Sequence, residues 1–161
     1  MYERRFRLPE NRGILVFSVD VLKHMYKYAQ TSFWSREAGG QLFTMNPEQS
    51  LIQISLATGP YRQDWRTRWS FHPDVNKATD DRYQHFANGL HAVGLWHTHP
   101  EVYPTPSDSD KTTTWQYLEA FQGEMDGFLL VIVGNQESPP NLAVWLAWAK
   151  SEKSWIQLSE I

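Results

Sequence analysis

Two histidines one residue apart and an aspartate downstream are the residues of this chain best suited to bind a metal. The stretch "GLWHTHPEVYPTPSDSD", residues 94–110, contains His97 and His99 and ends at Asp110. Two imidazoles and one carboxylate form a three-ligand zinc site whose fourth position is left to water, the arrangement of hydrolytic rather than structural zinc. His97, His99 and Asp110 are therefore our candidate metal ligands.

The same stretch also has an explanation that needs no metal. His-x-His alone is weak evidence, and Ser107 with Asp110 three residues later, ahead of "TTTWQYLEAF", is typical of a capping box at a helix start. Residues two apart in a strand share a face, so His97 and His99 would project together from the strand's carboxyl end, with Thr98 facing away. Open sheets place ligand crevices at such ends, and a helix start can present Asp110 to the same cavity.

A hydrolytic metal site also needs a general base, and Glu37 is the candidate. It lies in "REAGGQLF", residues 36–43, where one alanine separates it from two consecutive glycines. Glycines allow a close approach of the backbone where the chain enters a strand. Taken in isolation, however, Glu37 is expected to be an ordinary exposed loop glutamate.

The elements that must position these residues follow from the hydrophobic pattern. "GILVFSV" predicts a strand, and Ser18 or Asp20 can cap a helix over "VLKHMYKYAQ". "GGQLFTM" and "LIQISLAT" around "NPEQS" predict a hairpin, and "WRTRWSF" alternates as a further strand. A helix over residues 72–90, the strand "HAVGLWHTH", the helix "SDSDKTTTWQYLEAF" and the strands "GFLLVIV", "NLAVWLAWA" and "SWIQLS" complete the chain. The order β-α-β-β-β-α-β-α-β-β-β predicts one α/β or α+β domain over residues 1–161, a mixed β-sheet flanked by helices.

Composition excludes several classes of protein. The 161 residues are too few for an eight-stranded α/β barrel, which needs about 250. The absence of cysteine excludes disulfides, catalytic thiols and the Pro-Cys-x-x-Cys ligands of zinc deaminases. The longest apolar run, "FLLVIV", is too short for a membrane span and no signal peptide is evident, so we expect a cytoplasmic location and no membrane partner.

Charge gives no general attraction to nucleic acid, because the formal net charge is −3. The local exception is Arg62, Arg66 and Arg68, which alternate with Trp65 and Trp69. This cluster is either a surface that holds a substrate or a solvated strand face with arginines stacked on aromatic rings.

Together, "EAGG" and "HTHPEVYPTPSDSD" resemble the JAMM metallopeptidases, also called the MPN+ or JAB domain family. Their pattern is an upstream Glu, His-x-His-Pro, seven residues to a Ser, and an Asp three further on. The resemblance implies a cytidine-deaminase-like architecture, Zn²⁺ held by His97, His99 and Asp110, Glu37 as general base and then acid, and Ser107 as a hydroxyl that stabilises the oxyanion.

The "WHTHPE" stretch and Trp115 are similar to prokaryotic stand-alone members found in antiviral (CBASS-type) and mobile-element operons. That narrower resemblance implies a deubiquitinase-like isopeptidase that cleaves after the C-terminus of a ubiquitin-like protein or of a conjugated target such as a nucleotidyltransferase immune sensor. Its expected partners are that conjugate and operon-encoded activating and conjugating (E1/E2-like) enzymes. Two alternatives stay open: a processing peptidase for a sulfur-carrier or ubiquitin-like precursor, and a non-catalytic MPN scaffold.

Overall fold

The computed structural model describes residues 1–121, 125–150 and 152–161. In chain order the strands and helices are β1 (Arg4–Arg7), β2 (Ile14–Phe17), α1 (Val19–Tyr26), β3 (Gly39–Thr44), β4 (Leu51–Ile54), β5 (Leu56–Ala57), β6 (Trp65–Arg66), β7 (Phe71–His72), α2 (Val75–Ala87), β8 (His91–Thr98), α3 (Asp108–Ala120), β9 (Gly127–Val133), β10 (Leu142–Trp148) and β11 (Ser154–Gln157). A short 3-10 helix, Pro9–Asn11, joins β1 to β2. Among the described residues, no helix is both long and apolar enough to cross a bilayer.

A six-stranded mixed sheet with the strand order β11-β10-β9-β8-β3-β5 forms the centre of the fold. Strands β8 and β9 are parallel, and the other neighbours are antiparallel. In the register of β3 and β8, Gly39 pairs with His97 and Gly40 with Trp96. The predicted base segment and the predicted histidine ligands therefore lie side by side at one end of the sheet.

The two faces of this sheet are covered by different elements, because residues of β9 alternate in direction. Leu129, Val131 and Val133 belong to the main buried cluster with the apolar face of α1, which includes Leu22. Phe128, on the other face, packs with Leu118 of α3. Every residue of β9 after Gly127 is therefore buried, with one set of side chains on each face of the sheet.

The predicted fold class, helices on a mixed sheet, is confirmed, and three local predictions need correction. "LIQISLAT" is not one strand, because β4 pairs in parallel with β2 while β5 pairs with β3. "WRTRWSF" is not one strand either, but the small hairpin β6–β7. Strand β1 was not predicted, since within "RRFR" only Phe6 is buried and one apolar residue makes no pattern.

The helices begin close to the predicted positions, but α1 ends at Tyr26 rather than at Gln30. Ser18 caps α1, with its side chain accepting a hydrogen bond from the Val21 N–H. Helix α2 covers 75–87 rather than 72–90, because Asp74 is the N-cap and Gly89 follows the end with φ of +81°. Helix α3 begins directly after Ser107, as the capping pattern predicts.

Candidate active site

The two histidines of the His-x-His pair project together at the carboxyl end of β8. His97 is the penultimate residue of the strand and is buried, and His99 follows the strand. The His99 N–H donates to the Val133 carbonyl at 3.0 Å, so the chain stays aligned along β9 as far as His99. The imidazole rings stack, with centroids 4.8 Å apart and planes inclined by 24°.

Asp110 reaches both rings from the first turn of α3. Its Oδ2 lies 3.3 Å from Nε2 of His97 and 3.3 Å from Nε2 of His99. Two ligands held about 2.0–2.1 Å from a tetrahedral zinc are roughly 3.3–3.4 Å apart. Both imidazole nitrogens thus already lie at that separation from the Asp110 oxygen.

The capping box and the cluster are the same structure rather than alternatives. The Ser107 hydroxyl oxygen accepts from the Asp110 N–H at 3.1 Å, and Oδ2 of Asp110 accepts from the Ser107 N–H at 2.8 Å. The capping bonds orient the carboxylate, and the same Oδ2 atom faces the two imidazoles. The helix cap therefore positions a candidate ligand.

The donor set fits a cation on two further observations. Nε2 of His97 is buried and, although it lies 3.3 Å from Oδ2 of Asp110, it makes no hydrogen bond of suitable geometry among the described residues, which is costly unless another group satisfies it. Burial alone would lower the pKa of His99, but the Asp110 carboxylate, with Glu37 and Glu101, raises it. Burial alone would raise the pKa of Asp110, but the two imidazoles and the Ser107 N–H bring it well below its usual range. Both shifts arise because the carboxylates and the imidazoles face one another at short distance.

Glu37 is buried at the same place, contrary to its expected exposure as a loop residue. It is 7% exposed, and a carboxylate oxygen of Glu37 and one nitrogen each of His97 and His99 lie within 4.8 Å of one another. Burial raises the pKa of Glu37, and the nearby imidazoles oppose that effect. A carboxylate with a raised pKa beside a metal site is a better proton acceptor at neutral pH than an exposed one.

The two glycines after this segment allow the close packing around the site. A Cβ on Gly39 would lie 2.6 Å from the Trp96 carbonyl oxygen and 2.7 Å from the Phe71 ring. A Cβ on Gly40 would overlap the Thr58 carbonyl oxygen. Larger residues at either position would push β3 away from its neighbours, and Glu37 would move with it.

A cavity of about 190 Å³ opens beside these residues. Glu37, His97 and Asp110 contribute to its wall, together with Tyr61 from the segment before β6 and Tyr117 from α3. The general-base candidate and two of the candidate ligands thus face a space large enough for part of a substrate chain.

Sequence reasoning missed Glu101. Its Oε2 lies 3.6 Å from Nδ1 of His99, the ring nitrogen that does not face Asp110, and accepts from the Thr105 N–H at 3.1 Å. Carboxylates on the second nitrogen of a ligand histidine orient the ring and increase its basicity. The signal was present in "HTHPE", where Glu101 lies two residues after His99.

The three arginines of the predicted cluster have different surroundings in the structure. Arg66 donates to the Glu37 carbonyl oxygen at 2.6 Å, and Arg68 donates to the Ser32 and Phe33 carbonyl oxygens at 2.8 and 3.0 Å. Of the three arginines, Arg62 is exposed, whereas Arg66 and Arg68 are half-buried. Arg66 and Arg68 therefore attach the β6–β7 hairpin to the segment that carries Glu37, rather than standing free in solvent.

Comparisons with known proteins identify the family of this chain. Residues 18–148 match the family model described as prokaryotic homologs of the JAB domain. A CD-NTase/cGAS isopeptidase of Pseudomonas aeruginosa is 33% identical over 131 residues, covering 78% of this chain and 80% of the relative. A CD-NTase/cGAS isopeptidase of Escherichia coli is 30% identical over 99 residues, covering 60% of this chain and 63% of the relative.

A solved structure supports the fold alone. The solution structure of a protein from Desulfitobacterium hafniense superposes with a TM-score of 0.59 at 16% identity, covering 90% of this chain and 88% of the other. The matched region of the family model, 18–148, contains the base candidate, the histidine pair and the capping box. The chain belongs to the prokaryotic branch of the JAB domain family.

Proposed function

We propose that this chain is a zinc-dependent isopeptidase, with residues 1–161 acting as one peptidase domain. The observation that carries the proposal is the convergence of Nε2 of His97, Nε2 of His99 and Oδ2 of Asp110 beside the buried carboxylate of Glu37. These three atoms would hold Zn²⁺, and the donor set of two nitrogens and one oxygen leaves a position for water. Zinc bound there supplies an ionisable water near pH 7 and a Lewis acid for the scissile carbonyl.

Glu37 is the general base and then the general acid. Its carboxylate takes a proton from the attacking water, a carbon–oxygen bond forms at the scissile carbonyl, and the same proton passes to the amine as the carbon–nitrogen bond breaks. The raised pKa of Glu37, caused by burial, suits both transfers.

Ser107 supplies a hydroxyl for the developing oxyanion. Its oxygen accepts from the Asp110 N–H, which leaves the O–H hydrogen free to donate without breaking the helix cap. The hydroxyl and the ligand carboxylate are thus held by one capping box.

The substrate we propose is an amide bond between the C-terminal carboxyl of a folded protein and a lysine side chain. The support is the relatives' printed name, CD-NTase/cGAS isopeptidase. In this proposal the acyl side is a nucleotidyltransferase or a ubiquitin-like protein, conjugated by E1/E2-like enzymes, and the enzyme reverses that conjugation in the cytoplasm as part of antiviral defence.

The test uses a CD-NTase joined through its C-terminal carboxyl to the lysine ε-amine of a dye-labelled peptide. The zinc-loaded protein should release the labelled peptide, a chelator should stop the release, and added Zn²⁺ should restore it. A linear fusion through an α-amine and a ubiquitin–lysine conjugate serve as parallel substrates. Preference for the linear fusion would favour a precursor-processing peptidase over an isopeptidase.

Metal content separates the enzyme from a scaffold. Freshly purified protein should contain about one zinc per chain, whereas protein without metal and without cleavage of any of the three substrates would contradict the proposal. Glu160→Gln, which changes a carboxylate paired with Arg4 and outside the metal cluster, is the control and should keep both zinc and cleavage.

A further inference from the structure

The backbone of Glu37 is held on both of its polar groups by the β6–β7 hairpin. The Glu37 N–H donates to the Thr67 carbonyl oxygen at 2.7 Å, and the Glu37 carbonyl oxygen accepts from Nε of Arg66 at 2.6 Å. These bonds fix one side of the segment. They leave open what fixes the carboxylate's distance from the histidines, which belong to another strand.

Thr98, the residue between the two histidines, is bonded to the residue that follows Glu37. Thr98 is fully buried and faces away from the ligands. Its N–H donates to the Ala38 carbonyl oxygen at 2.8 Å, and its hydroxyl oxygen accepts from the Ala38 N–H at 3.0 Å. One residue of the ligand strand therefore holds both backbone groups of the residue that follows Glu37.

Gln30 orients the Thr98 hydroxyl from behind. Gln30 is 1% exposed, and its Oε1 accepts from the Thr98 O–H at 3.0 Å. Its Nε2 donates to the Arg68 carbonyl oxygen at 2.8 Å and to the Ser35 carbonyl oxygen at 3.4 Å. The one amide side chain thus joins the ligand strand, the hairpin and the loop before Glu37.

We propose that Gln30 and Thr98 are positioning residues that set the distance between the Glu37 carboxylate and the ligand histidines. The inference rests on the proposed function and names the residues that hold its general base in position. Neither residue touches the metal cluster: they act through Ala38 and through the hairpin. The buried Thr98 hydroxyl accepts one hydrogen bond, from the Ala38 N–H, and donates one, to Gln30. Because both bonds fix its direction, the segment around Glu37 has little freedom to shift.

Thr98→Val removes the hydroxyl and keeps the shape of the side chain. Misplacing a catalytic group by about 1 Å can cost on the order of 10²-fold, so we expect kcat to fall about 10- to 100-fold with KM changed less than about twofold. Zinc should remain near one per chain. Thr98→Ser, which restores the hydroxyl, should return kcat to within about threefold of the wild type.

Thr44→Val is the matched control. Thr44 is also fully buried and its hydroxyl accepts one backbone N–H, that of Asn46, but it lies at the opposite end of β3, paired with His91. It should lose stability without loss of kcat. Hydrogen exchange of the Glu37 N–H, measured in the zinc-loaded proteins, should accelerate in Thr98→Val and not in Thr44→Val.

Gln30→Met provides the second variant, in case Thr98→Val does not fold, and should lower kcat in the same range. Because the two residues act as one unit, the double variant should lose little more than either single variant. The proposal is overturned by a Thr98→Val enzyme with wild-type kcat, by failure of Thr98→Ser to restore it, or by an equal loss in Thr44→Val. If the wild type cleaves none of the conjugates, the proposed function fails, and the exchange rates of Glu37 still test the positioning.

Discussion

Replacing Glu37 by Gln isolates its carboxylate from the rest of the site. The hydrogen bonds that hold this residue involve its backbone N–H and carbonyl oxygen, with Thr67 and Arg66 as partners, and neither depends on the side chain. Glutamine has nearly the same volume, so the segment and the neighbouring imidazoles keep their places. What is lost is the only group at this position that can accept and return a proton.

The expected loss follows from that role. A positioned general base contributes typically 10²- to 10⁴-fold, or about 2.7–5.5 kcal/mol of the activation barrier. Burial raises the pKa of Glu37, which makes its carboxylate a stronger base than an exposed one. We therefore expect kcat in Glu37→Gln to fall toward the upper end of that range. The metal should stay bound, because the three proposed ligand atoms are unchanged.

The assay pairs turnover with metal content in the same preparation. Release of the labelled peptide is followed under single-turnover conditions, and zinc is counted by elemental mass spectrometry. Glu160→Gln is the control, since Glu160 pairs with Arg4 in the described contacts and not with the metal cluster. A Glu37→Gln enzyme that keeps one zinc per chain and more than about a tenth of wild-type turnover would refute the assignment of the base.

Three further outcomes are expected. His97→Ala and Asp110→Ala should each lose both zinc and cleavage, and a variant with wild-type zinc affinity in a competition titration would remove that residue from the ligand set. Ser107→Ala should lower kcat by about 10²- to 10³-fold and the free energy of unfolding by about 1 kcal/mol while keeping zinc, because an oxyanion donor and a helix cap are lost together; unchanged kcat would contradict the oxyanion role. The hydrogen bond with Arg4 lowers the pKa of Glu160, so this pair stabilises the fold above about pH 4.3 and the stabilisation disappears as the pH falls through the lowered pKa. Because the Glu160 side chain is 43% exposed, denaturant unfolding should show that Glu160→Gln costs at most about 1 kcal/mol at pH 7 and less at pH 3, and a cost that grows toward pH 3 would contradict the pairing.

Sequence patterns predicted the elements with long, clear periodicity and the residues with a fixed spacing. Strand β9 covers the predicted "GFLLVIV" without change, and the capping pattern gave the start of α3 at its N-cap. These predictions succeed because the information is local: a strand needs only its own alternation, and a cap needs two residues three apart.

The rest depends on contacts between distant parts of the chain. The burial of Glu37 results from hairpin β6–β7, whose Thr67 lies thirty positions later, and "REAGGQLF" alone contains no sign of it. The roles of Gln30 and Thr98 depend on a hydrogen bond across 68 positions. The alternating arginines in "WRTRWSF" are typical of a solvent-exposed strand face. The fold shows that Arg66 instead donates to the Glu37 carbonyl oxygen.

Asp110 shows why this site can be formed before metal binds. Its carboxylate is bonded to the Ser107 N–H, and the partial positive charge at the helix N-terminus stabilises the ionised form. A zinc finger obtains its fold from metal binding, whereas here the proposed ligands come from a helix cap and the end of a strand in the central sheet. The capping box that satisfies backbone N–H groups at the start of α3 also orients Asp110, the third proposed ligand. A substitution of Asp110 therefore removes a partner of the helix cap and a proposed metal ligand together.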